Sequence, residues 1–261
     1  MPDAAIDHIA RAFDLRACRA TFTRRSGGAR VSTMTDHAHD LESVRDATER
    51  LLTAVAELDD AAVGEPSRLP GWSRGHVLAH LARNADALVN VLEGRPMYAD
   101  AQVRDADIER DAPRALAAQL ADVRESAARF RATGAAPADW SRTVELRNGV
   151  VDTAARVPFR RWAEVELHAV DLGIGYELED LPQEFTERET EFLADRFTGH
   201  PDVPPTRLTD GTRVWRTGRA ADGSAVTVTG TPADLLGWLA GRRDGSGLTV
   251  DGGPLPALPP L

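Results

Sequence analysis

The chain contains no lysine. All 31 of its basic residues are arginine, against 41 aspartates and glutamates. With abundant Ala, Gly and Asp, this reads as the codon signature of a GC-rich genome more than as a physical adaptation. The formal net charge of −10 repels phosphate backbones, and no sharp basic cluster offsets it, which disfavours nucleic acid as a partner. Cysteine is scarce too: Cys18 is the single one. That excludes an intrachain disulfide framework and a thiolate-rich zinc site, and makes a reducing cytoplasm the simplest compartment. No window approaches the ~18 uninterrupted apolar residues of a membrane span, and no long apolar stretch near the start reads as a secretory signal. What is present is ordinary for a soluble globular protein: 42% hydrophobic and 28% charged residues, which excludes a disordered or fibrous chain. At ~150 residues per domain, 261 residues make one large domain or two modest ones.

Residues 1–33 differ from the rest, with six Arg and three Asp. They read as an N-terminal extension ahead of Met34, which leaves Cys18 outside the working protein. From 36 to 60, Leu41, Val44, Ala47, Leu51, Leu52, Val55 and Leu58 recur at spacings of three and four, a helical period. Leu69-Pro70-Gly71-Trp72 breaks the chain. Ser73 then caps a helix to about 93, stopped by Gly94. A loop runs through Pro96-Met97-Tyr98, a third helix covers about 113–132, and residues 134–154 are mixed. A fourth helix covers about 157–172, ended by Gly173 and Gly175. Four amphipathic helices make residues 34–178 a four-helix bundle. Residues 179–261 read as a small α/β module: a helix at 185–197, strands at 207–208, 214–216, 225–229 and 248–250, and a helix at 231–239. Hairpin signals stand at Asp210-Gly211 and Asp222-Gly223, and a Pro-rich tail follows. The fold class is therefore α+β.

Seven histidines are present; the informative ones lie on helices two and four. A 100° step places His80 beside the apolar stripe Val77, Leu81, Ala85, Leu88, Leu92, and turns His76 toward the rim. A lone inward histidine is more often a core residue satisfied by a hydrogen bond than a ligand. On helix four, Glu164 and His168 are four apart and share a face with Arg161 and Asp171. Apolar residues flank this stripe on both sides, as expected of a polar stripe buried in a bundle, where ionisable groups need partners or a metal. Two imidazoles and a carboxylate leave an open coordination position. A surface Glu–His pair explains the E-x-x-x-H spacing equally well.

The run from Leu69 to Leu88 resembles the N-terminal domain of mycothiol-dependent maleylpyruvate isomerases. So do Pro96-Met97-Tyr98, with Arg104 shortly after, and Glu164-Val165-Glu166-Leu167-His168-Ala169-Val170-Asp171-Leu172-Gly173. The resemblance covers residues 36–255 and implies a DinB-like four-helix bundle followed by the family's small C-terminal domain. It implies a divalent metal, zinc, held by His80, Glu164 and His168. Arg104 matches an arginine associated with activity, within a segment that otherwise departs from the family pattern. The implied cofactor is mycothiol, which adds reversibly across the cis double bond of maleylpyruvate and is regenerated with fumarylpyruvate, a step of gentisate degradation in actinobacteria. Lowering the pKa of a bound thiol is work a metal can do, and the protein then needs no cysteine of its own. The alternatives are a mycothiol S-transferase acting on other electrophiles and a non-catalytic DinB-like binding or regulatory protein. The implied partners are small molecules, with the chain a monomer or small homo-oligomer.

Overall fold

The computed structural model describes residues 36–136, 138–219 and 226–259. Residues 1–33, with Cys18, and the Asp222-Gly223 turn lie outside the described residues. The chain divides into two compact units between Gly175 and Tyr176.

The first unit is built on helices α1 (His37–Val55), α3 (Arg74–Leu92), α5 (Leu116–Ala135) and α6 (Val157–Asp171). Helix α1 packs on α5 and α6, and α3 packs on the same two, closing a four-helix bundle. Its core holds Val44, Leu51, Leu78, Leu81, Phe130 and Val165, each at most 4% exposed. Asp36 caps α1 by accepting from the amides of Ala38 and His39. The period at 36–60 predicts one helix, but the structure ends it at Val55. The Asp59 carboxylate accepts from Ala62 N at 2.8 Å and caps a new single-turn helix, α2 (Asp60–Val63).

Two elements stand where the sequence predicts loop and mixed chain. Helix α4 (Ala101–Asp111) packs on α3. Asp100 starts it, accepting from Val103 N at 2.7 Å, but few of its side chains are buried, so the apolar period that marks a core helix is missing. Strands β1 (Thr143–Glu145) and β2 (Val151–Thr153) form an antiparallel hairpin. Its turn carries Asn148 at φ 60° and Gly149 at φ 74°, a dipeptide suited to that geometry.

The second unit holds α7 (Gln183–Arg196), β3 (Thr206–Thr209), β4 (Val214–Thr217), β5 (Val226–Thr229), α8 (Pro232–Leu239) and β6 (Thr249–Asp251). The sheet order is β4-β3-β5-β6. The β3–β4 and β5–β6 pairs are antiparallel, while β3 and β5 run parallel. Helix α7 packs on β4 and α8. Leu208 and Val228, paired in register, are fully buried, as are Phe185, Leu235 and Leu236. The Asp210-Gly211 signal is realised as the β3–β4 turn, where Asp210 accepts from the amides of Thr212 and Arg213.

Candidate metal centre

Helix α3 is set in place from its N-terminus. Gly71, at φ 80°, turns the chain so that Ser73 caps the helix, and Ser73 and His76 form a reciprocal capping box. Gly75 follows; a Cβ there would lie 2.1 Å from the carbonyl oxygen of Ala112, so only glycine permits this approach of α3 to the chain leaving α4. Gln119, fully buried on α5, donates to the carbonyls of Asp111 and Ala112 and fixes the same junction.

The capping box accounts for His76. Its Nδ1 lies 2.7 Å from Ser73 Oγ and its Nε2 lies 3.4 Å from Glu109, at the rim. His80, one turn on, is 4% exposed and points between α3 and α6. Its Nε2 is 2.9 Å from Glu164 Oε2, and His168 Nε2 is 3.3 Å from the same oxygen. The two imidazoles meet edge-on, with ring centroids 4.7 Å apart. One ligand atom from each of His80, Glu164 and His168 lies within 4.8 Å of the others. A solvated Glu164–His168 surface pair is thereby excluded, since His168 is 3% exposed and the Glu164 side chain 14%.

The surroundings tune this cluster. Asp171, 1% exposed, lies 2.8 Å from His168 Nδ1, fixing the ring so that Nε2 faces Glu164. Burial acts to lower the His168 pKa, but the hydrogen bonds with Asp171 and Glu164 outweigh it and raise it above the usual histidine value. Burial dominates at His80 and pushes it down to about 3, so the ring is neutral. Burial acts to raise the Glu164 carboxyl, but the hydrogen bonds with His168 and His80 hold it well below the usual range. Two imidazoles and an ionised carboxylate are suited to a divalent metal, and three protein ligands leave a position open.

Arg104, the remaining residue singled out from the sequence, lies on α4 and is buried. Its Nη1 pairs with Asp105 at 2.6 Å, and its Nη2 lies 3.2 Å from His80 Nδ1. Burial raises the pKa of the Tyr98 hydroxyl, and the Arg104 charge opposes that rise. Tyr98 in turn lines a cavity of about 580 Å³ with Met97, Arg142, Arg147 and Asn148. The sequence places Arg104 in a loop; the Asp100 cap was the signal for its helix.

Two family models match the chain. The mycothiol maleylpyruvate isomerase N-terminal domain matches residues 44–173, and the C-terminal domain of the same family matches residues 180–260. The chain belongs to this family. Its structure is similar to the crystal structure of the mycothiol-dependent maleylpyruvate isomerase, with a TM-score of 0.77 and 27% identity over 85% of this chain and 95% of that one. A histidine-to-alanine mutant of that isomerase gives a TM-score of 0.76 at the same identity and coverage. Comparison with curated proteins finds no match. The family assignment agrees with the α+β fold read from the sequence, and with the helical bundle that carries His80, Glu164 and His168.

Proposed function

We propose that the protein is a mycothiol-dependent, metal-assisted isomerase that converts maleylpyruvate to fumarylpyruvate, with zinc held by His80, Glu164 and His168. One observation carries this reading: three donors converge, the two histidines buried and the Glu164 side chain 14% exposed, in a chain that belongs to the mycothiol maleylpyruvate isomerase family. A metal at this site supplies Lewis acidity, which lowers the pKa of a bound thiol. The protein's own residues do the rest. Burial keeps His80 neutral across the working pH range. Asp171 holds the His168 ring in the orientation that directs Nε2 to the site.

Arg104 is the residue for a substrate carboxylate, since a guanidinium matches that group in charge and shape. In this structure it donates to His80 Nδ1, and Nε2–H faces Glu164. His80 would hold a metal through Nε2 only with that nitrogen unprotonated and the ring hydrogen on Nδ1. Arg104 would then face a donor at His80 in place of an acceptor, and its Nη2 would be free to meet a substrate carboxylate. A cytoplasmic setting fits the single cysteine, and no helix among the described residues is long and apolar enough to cross a membrane.

The test is turnover of maleylpyruvate by the zinc-loaded protein with and without thiol. One equivalent of mycothiol should support many turnovers, and glutathione should serve far less well. Consumption of thiol one for one with product would make the protein an S-transferase; full activity without thiol would overturn thiol chemistry altogether.

A further inference from the structure

Arg161 has no role in the reading above, yet it is among the largest fully buried side chains, at 1% exposure. It lies on α6, one turn before Glu164. Its Nη1 is committed to α3, donating to the carbonyl of Leu81 at 2.9 Å and to Asn84 Oδ1 at 2.8 Å. Its Nε and Nη2 are buried and have no hydrogen-bond partner among the described residues. These two nitrogens form one side of the guanidinium, with parallel N–H bonds spaced to meet both oxygens of a carboxylate. A strut between helices needs only the Nη1 edge. Leaving the other edge of a buried cation without acceptors is costly.

The position of that edge matters. His80 on α3 meets Glu164 on α6, and one turn along the same pair of helices Asn84 meets Arg161. The arginine layer therefore stacks on the donor layer at the spacing of one helical turn, ~5–6 Å between Cβ atoms. Arg104 reaches the donor layer as well, its Nη2 lying 3.2 Å from His80 Nδ1. Burial in turn lowers the Arg161 pKa to about 10, which leaves it charged at neutral pH.

We infer that the Nε–Nη2 edge of Arg161 is a carboxylate-binding subsite beside the metal centre, taking one carboxylate of an acidic substrate while Arg104 takes the other. This rests on the proposed function for the acidity of the substrate. It adds the residue that orients a dicarboxylate: two guanidiniums on different helices fix its direction across the site, which one arginine cannot do.

The probe is maleate, a cis-dicarboxylate without the reactive ketone, added to the full-length zinc-loaded protein labelled with 15N-arginine. The Arg161 Nε–H resonance, assigned from its loss in Arg161→Lys, should shift on saturation with maleate. Arg161→Lys should weaken maleate at least ten-fold while keeping its zinc and its melting temperature. An unmoved Arg161 resonance in the native protein at saturating maleate, or no maleate binding at all, overturns the subsite. So does Arg161→Lys retaining both zinc and native maleate affinity. Should Arg161→Lys fail to fold, the resonance is assigned by elimination against the other arginines and the native titration decides. Maleate binding at Arg161 without thiol-dependent turnover would refute the proposed function alone. Thiol-dependent turnover with an unmoved Arg161 would refute the subsite alone.

Discussion

Asp171→Asn isolates the effect of one buried carboxylate on the metal centre. The side chain is 1% exposed, and its oxygen lies 2.8 Å from His168 Nδ1. Asn keeps the shape and can still accept one hydrogen bond, but it removes the negative charge. A charge-assisted bond of this kind contributes about 1.5–3 kcal/mol. Changes to groups that orient ligating histidines cost 10–100-fold in metal affinity, about 1.4–2.7 kcal/mol, so the two scales agree. The effect on pH has a separate sign. His168 is protonated up to a raised pKa because Asp171 and Glu164 outweigh its burial, and protons compete with metal below that pKa. Without the Asp171 charge the ring loses its proton at lower pH, so the acid limit of metal binding shifts to lower pH while the affinity at high pH falls. Zinc affinity measured by chelator competition from pH 5 to 8 reads both effects, with melting of the metal-free proteins as the control for folding. The reasoning is refuted if affinity at high pH is unchanged, or if the acid limit moves upward.

His80→Ala should abolish zinc binding and activity together, whereas His76→Ala, which removes half of a capping box at the rim, should keep zinc; metal content after dialysis distinguishes them. Gly75→Ala should lower the melting temperature by the equivalent of about 1–3 kcal/mol or more, because its Cβ would meet backbone at 2.1 Å; an unchanged melting temperature would show that the α3–α4 junction gives way freely.

Much of the fold is written in the periodicity of the sequence. The spacings of Val44, Ala47, Leu51 and Val55, and the stripe Val77, Leu81, Ala85, Leu88, are those of helices with one buried face, and those residues are buried. The same arithmetic turned His80 inward and His76 outward, and put Arg161, Glu164, His168 and Asp171 on one face of α6. Periodicity marks an element only where burial is periodic. Helix α4 buries little, and strands β1 and β2 have three residues each, so neither left such a trace. The Asp100 cap and the Asn148-Gly149 turn were the local signals there.

What the sequence could not decide was which faces meet. A wheel gives the direction of a side chain about its own helix axis, not the identity of the helix opposite. Whether His80 was a satisfied core histidine or part of a ligand set depended on α3 facing α6, which only packing decides. The same holds for the parallel pairing of β3 with β5, since turn signals mark where strands end and not whom they join. It holds most plainly for Arg161. Its place on the polar stripe was legible, but that one edge is held by Leu81 and Asn84 while the other has no acceptor among the described residues is a property of two helices brought together.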